Sequence, residues 1–202
     1  MLALHKSLGA RASVFFPPAA APKAEERAAL DESCRFFNQM GKMALEDYGV
    51  RMGLHNHTGG LFETQDQVDF FLDHTDPRHV FCAWDTAHLF LGGCNVVETF
   101  RKSLDRIIYM DFKDATSRKA EADYLAPNGV RHAADSKSGQ FYNSVLELGR
   151  GEIDFPALMR MLKSVNYQGW INHDLDTIRV SCPDSWRVSM QYIKTVLDPI
   201  YE

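Results

Sequence analysis

The sequence predicts an α/β fold of barrel type, in which parallel strands are wrapped by helices. Four short apolar runs each close on a polar cluster: His55-Asn56-His57, Asp85-Thr86-Ala87-His88, Asp111-Phe112-Lys113-Asp114 and His173-Asp174-Leu175-Asp176. Helical periodicity fills the stretches between them, so strands and helices alternate. Strands that all end in metal-type or acid/base side chains place the chemistry at one edge of a parallel sheet, as in an α/β barrel.

The elements follow in order. Leu2, Leu4 and Leu8 before Gly9 read as the last turns of a helix, and residues 12–16 as a strand stopped by Pro17-Pro18. Between residues 23 and 48, Leu30, Cys34, Phe37, Gly41, Ala44 and Tyr48 recur at spacings of four and three. They make one apolar stripe on a long helix, with Gly49 as its stop. Strands are then expected at 50–55, 79–84, 106–110 and 169–173. Helices are expected at 65–72, 96–103, 155–165 and 184–196, the third capped by Asp154 with Pro156 in its first turn. The polar stretch 117–139 shows no periodicity and reads as an excursion over the active face. Five strands result, whereas a closed barrel needs eight and typically about 250 residues, so about three βα units are lacking.

With 202 residues, 45% hydrophobic and 24% charged, the chain has the composition of one ordinary globular domain, taken as residues 1–202. A net charge of −5 without a lysine or arginine block argues against a nucleic-acid partner. Cys34, Cys82, Cys94 and Cys182 lack metal-type spacing and read as buried thiols of a reducing compartment, so a cytoplasmic location is expected. Lys6 and Arg11 interrupt any signal-like apolar stretch, and no run is long enough to span a bilayer.

Alternation puts His55 and His57 on one strand face, followed by Thr58-Gly59-Gly60, where glycines let a ligand approach the backbone. The two histidines serve as a ligand and a substrate contact, or as hydrogen-bonded structural residues. Asp85 can cap the turn that carries His88, and a cap can also ligate. Lys113 can pair with Asp111 or Asp174, or hold a substrate oxygen. Arg150, between Gly149 and Gly151, suits an anionic or polyhydroxyl substrate. Asp174 and Asp176 share a face, and their repulsion hints at a cation. Trp84, Phe90, Phe112 and Trp170 read as core or pocket wall.

The segments GLHNHTGG, WDTAHLFLGG, RIIYMDFKD and LGRGEIDFPALMRMLKSVNYQGWINHDLD resemble, in order and spacing, the C-terminal two-thirds of the xylose-isomerase-like barrel superfamily. That group includes sugar isomerases and epimerases, inosose dehydratase and the endonuclease IV type of repair enzyme. The resemblance implies a TIM-type (β/α)8 barrel present from about strand 4 to strand 8. It also implies one divalent ion, manganese, magnesium or cobalt, on His55, Asp85, Asp111 and Asp174. Three of these depart from the family pattern: His55 stands where the first glutamate is usual, as in branches reading HNH, Asp111 where a histidine is usual, and Asp174 where the last glutamate is. His88 matches a substrate-contacting histidine. The replaced glutamates disfavour two-base epimerisation and leave one-sided proton abstraction beside a polarised carbonyl, with Asp174 or His57 moving the proton and His88, Lys113 and Arg150 orienting the substrate.

The expected function is a metal-dependent isomerase or dehydratase of a small keto-sugar or cyclitol. An inactive or partner-dependent barrel remnant is the alternative, because exposed sheet edges invite pairing with another chain, including a homo-oligomer. Cleavage of damaged DNA is the least supported reading.

Overall fold

The computed structural model describes residues 1–178 and 181–201. In chain order the elements are α1 (Leu2–Ser7), β1 (Ala12–Phe15), α2 (Glu26–Tyr48), β2 (Arg51–Leu54), α3 (Gln65–His74), β3 (Val80–Asp85), α4 (Thr86–Leu91) and α5 (Val96–Ser103). They continue with β4 (Ile107–Phe112), β5 (Asp114–Ala115), β6 (Tyr124–Leu125), β7 (Arg131–His132), α6 (Lys137–Ser144), β8 (Val145–Leu146), α7 (Phe155–Ser164), β9 (Trp170–His173), α8 (Cys182–Tyr192) and α9 (Asp198–Tyr201). A π-helical turn, Ile193–Leu197, joins α8 to α9. No helix among the described residues is long and apolar enough to cross a membrane.

The chain divides into two compact units, Met1–Asp111 with Tyr167–Asn172, and Phe112–Asn166 with His173–Glu202. The first holds the five-stranded sheet, in the order β1-β2-β3-β4-β9, apart from the final residues of β4 and β9. The strand pairs β1–β2, β2–β3 and β3–β4 are all parallel, as the alternation of elements predicts. β3 is buried along almost its whole length, because a parallel sheet is covered on both faces and its strands read as continuous apolar runs.

The helices form where the sequence provides both a stripe and a start signal. In α2 the stripe residues Leu30, Cys34, Phe37, Gly41 and Ala44 are buried, and Gly49 ends the helix in the left-handed conformation. Gly41 is required by a close approach: a Cβ there would lie 2.5 Å from the His79 carbonyl oxygen. Thr64 and Gln67 form a capping box on α3, Asn95 caps α5 and Asp154 caps α7 ahead of Pro156. Phe37, Phe62, Phe71 and Trp84 pack in sequence with centroid spacings of 5.9, 5.5 and 6.1 Å. Arg106 is buried beneath this group, donating to the carbonyls of Val80 and Leu72 and to Thr75 Oγ1, with its guanidinium over the Phe71 ring.

In the second unit β5 pairs antiparallel with β8 and β6 with β7, while Phe112, Phe155, Leu158, Leu162 and Leu197 are buried. Two expectations are corrected here. The stretch 117–139 is not unstructured: it contains the β6–β7 hairpin and the start of α6, whose N-cap is Ser136. Its two-residue strands are too short for periodicity to show. Trp170 is neither core nor pocket wall, being 81% exposed. It stands on β9, an outer strand of the sheet with no neighbour on its far side among the described residues.

The cysteines also divide. Cys34, Cys82 and Cys94 are buried thiols, and burial pushes each up to about 12, whereas Cys182 at the start of α8 is exposed, contrary to expectation.

Candidate functional site

Three parallel strands of the first unit end in His55, Asp85 and Asp111, all buried. The β3–β4 register sets Asp85 directly beside Asp111, and His55 Nδ1 lies 3.3 Å from Asp111 Oδ2. Ligand-capable atoms of His55, Asp85 and His88 fall within 4.8 Å of one another. The sequence therefore located these residues, and parallel pairing brings them together without any long-range device.

Asp85 performs the capping role that its position allowed. Its Oδ1 accepts from the backbone N–H of His88 at 3.0 Å and so caps α4, a one-and-a-half-turn helix that the sequence reading left as a helix start or turn. That cap brings His88 back over the strand ends, with Nε2 3.9 Å from Asp85 Oδ2. His88 Nδ1 accepts from the Thr58 N–H at 3.2 Å, so in the neutral ring the proton sits on Nε2. In that tautomer His88 presents Nε2 as a hydrogen-bond donor.

His57 has the complementary tautomer. Its Nδ1 is 2.8 Å from the Thr58 carbonyl, which can only accept, so Nδ1 carries the proton and Nε2 is the basic nitrogen. The exposed His57 ring lies over His88, with centroids 4.0 Å apart. It lines a cleft of about 270 Å³ with Phe16, Pro17, Pro18 and the Thr58-Gly59-Gly60 turn.

Several supporting residues escaped the sequence reading. Asn56, on the opposite strand face from the histidines and fully buried, accepts from Asp85 N–H at 2.9 Å and donates to the Asp85 carbonyl at 3.2 Å. It thereby fixes the end of β3 from the end of β2. Asp111 Oδ1 accepts from Tyr109 Oη at 2.8 Å and from Asn172 Nδ2 at 2.7 Å. Spacing by two residues carried the signal for Tyr109, which shares a strand face with Asp111.

In the second unit Lys113, buried, places Nζ 2.7 Å from Asp174 Oδ2 and 2.6 Å from Asp176 Oδ2. Of the two partners expected for Lys113, Asp174 is the one realised in this unit. The repulsion between Asp174 and Asp176 is offset by this ammonium, so their proximity does not by itself require a metal ion. Asp114 is an anchor. Its carboxylate accepts backbone N–H groups from Ala115, Gly149, Gly151 and Ile153 at 2.9, 2.9, 2.8 and 3.4 Å. Desolvation holds its pKa above the ordinary carboxylate value despite these bonds. A Cβ on Gly151 would strike the Asp114 carboxylate, so of the glycines that flank the exposed Arg150, Gly151 is required by the anchor, while Gly149 adopts a positive φ against the Tyr192 ring.

A parallel α/β sheet with histidine and aspartate at adjacent strand ends defines a barrel-type chain with its polar cluster at the C-terminal sheet edge. The chain belongs to the xylose isomerase-like TIM barrel family, which matches residues 1–196. It is 33% identical over 142 residues to an inosose dehydratase of Bacillus velezensis, covering 70% of this chain and 45% of that protein. It is 27% identical over 167 residues to an inosose dehydratase of Lactiplantibacillus plantarum, covering 81% and 53%. The chain thus spans about half the length of the curated relatives it matches. Among solved structures, an IOLI protein with a bound zinc atom superposes with a TM-score of 0.73 at 16% identity, covering 100% of this chain and 68% of that one. A probable 3-DHS dehydratase, AsbF, from Bacillus anthracis gives 0.69 at 16% identity, covering 96% and 67%.

Proposed function

We propose that this chain is the catalytic part of a metal-dependent dehydratase or isomerase acting on a small keto-sugar or cyclitol, with its five strands as strands 4 to 8 of a barrel and residues 1–202 as one partial barrel domain. The observation that carries the reading is the buried meeting of His55, Asp85 and Asp111 at three neighbouring strand ends. Two buried carboxylates in adjacent register repel unless a cation lies between them, and an imidazole beside them completes a donor set that fits a divalent ion. Asp174 is proposed as the fourth ligand on the sequence pattern. Three aspartates and one histidine form an oxygen-rich set suited to manganese, magnesium or cobalt. The relatives named inosose dehydratase favour loss of water over epimerisation.

A bound ion supplies Lewis-acid polarisation of a substrate carbonyl. The protein's own groups do the rest. His57 Nε2 is the basic nitrogen and takes the proton from the carbon next to that carbonyl, with Asp174 as the other candidate for this role. His88, held as the Nε2–H tautomer, donates to a substrate oxygen, and Lys113 and Arg150 orient the remaining oxygens. Pro17, Pro18 and Phe16 wall the cleft on one side and limit water there. The proposed setting is the cytoplasm.

Isomerisation, epimerisation and dehydration of a ketose all begin by breaking a carbon–hydrogen bond beside the carbonyl. Manganese-loaded protein incubated with keto-cyclitols and keto-sugars in D2O is expected to exchange that hydrogen, followed by NMR, and loss of water is expected to follow with a cyclitol ketone. No exchange with any of them, or no manganese bound, overturns the proposal.

The partner-dependent remnant is favoured by one observation: β1 and β9 are outer strands, and Phe16 and Trp170 beside them are 62% and 81% exposed. Size-exclusion with light scattering decides it, since a stable monomer opposes this reading.

A further inference from the structure

A lysine shared by two carboxylates at the end of β4 creates a conflict with the proposed metal role of one of them. Lys113 Nζ is 2.7 Å from Asp174 Oδ2 and 2.6 Å from Asp176 Oδ2, and its side chain is 3% exposed. The two segments are joined beside this group, where the Asp174 N–H donates to the Phe112 carbonyl at 3.2 Å. An ion bound to Asp174 would sit about 2.1 Å from a carboxylate oxygen, within a few ångströms of a second positive charge on the same carboxylate. Like charges at that separation repel, although the carboxylates, 36% and 35% exposed, share the site with solvent.

Asp176 resolves the conflict. We infer that Asp176 is a positioning residue that retains the Lys113 ammonium when a divalent ion takes Asp174, so that ion and lysine occupy the site together. The inference rests on the metal reading given above. Its physical content is an exchange of partners: without the ion, one ammonium serves two carboxylates, and with it each cation has its own. Lys113 then remains a protonated donor next to the ion, placed for a substrate oxygen. If Asp176 were absent, the lysine would lose one of its anions and compete more strongly with the ion for Asp174.

The test is a double-mutant cycle on manganese affinity, measured by titration calorimetry with manganese alone on the full chain. Asp176→Asn is expected to weaken manganese binding about tenfold, and Lys113→Met to tighten it. In the Lys113→Met background, Asp176→Asn is expected to change the affinity by no more than about threefold, since nothing is left for Asp176 to retain. Lys113→Gln replaces Lys113→Met if the latter fails to fold. An equal loss on Asp176→Asn in both backgrounds overturns the inference, because Asp176 would then act on the ion directly. Tight manganese binding unchanged in every variant also overturns it while leaving the metal reading intact. Absence of binding in the unaltered chain overturns both.

Discussion

Two strand-end clusters in this molecule bring carboxylates together, and they manage the resulting charge differently. In the second unit Asp174 and Asp176 share an ammonium that the chain itself supplies, Lys113, so that cluster carries its own cation. In the first unit Asp85 and Asp111 lie in neighbouring register, both buried, and the groups brought to them are His55 and His88, which are charged only when protonated. An acidic pair near a strand end is therefore not in itself a sign of metal. In the second unit a charge supplied by the chain itself offsets the pair.

The largest effect expected from this contrast is on Asp85. Asparagine caps a helix as well as aspartate does, so Asp85→Asn separates capping from ligation. Manganese affinity is expected to fall by at least about 100-fold, while urea-unfolding stability is held or raised because a buried negative charge beside Asp111 has gone. Manganese affinity unchanged in Asp85→Asn would show that the cap, which asparagine preserves, is the residue's main role.

Asn56→Ala comes next. Both ends of the Asn56 amide bond to the backbone of Asp85, and truncation leaves those buried groups unsatisfied, at a cost of about 2 kcal/mol in denaturant unfolding. An effect near zero would mean that β3 holds its end in place without this link.

The smallest is a pH effect at Asp114, the carboxylate of the second unit whose bonds are to backbone N–H groups rather than to a cation. Its folded pKa is raised by burial, so as pH rises the unfolded chain loses its proton first and the folded chain holds more protons across the interval. Stability therefore falls with increasing pH from the ordinary carboxylate value up to the raised one, then levels off. Asp114→Asn is expected to remove that slope in urea midpoints measured across the acid range. It should also cost about 2 kcal/mol at neutral pH, because an amide cannot accept from every N–H that the carboxylate serves. A slope unchanged by the substitution would assign it to another group.

The sequence disclosed the fold where periodicity was long and bounded. Residues 23–48 carried a full apolar stripe and a glycine stop, and the strands of the sheet announced themselves as apolar runs ending in chemistry. Thr86–Leu91 did not, since a helix of six residues shows too few turns for a pattern, and its only signal was the Asp85 cap. The hairpin Tyr124–Leu125 with Arg131–His132 was invisible for the same reason. Within the site, residues that bear reactive groups were legible from their type and strand-end position. Asn56 and Asn172 were not, because an amide chosen to bond a backbone or a carboxylate from another segment looks like any other surface asparagine until the segments are placed. The Asp176 partnership with Lys113 was equally hidden, because the sequence offered Lys113 only Asp111 or Asp174 as partners.

The division among the cysteines makes the protein easy to instrument. Three thiols are shielded and resist deprotonation, whereas Cys182 stands in solvent at the first turn of α8. A maleimide dye or nitroxide added to the unaltered chain should attach there alone, giving a single spectroscopic reporter without any engineered substitution.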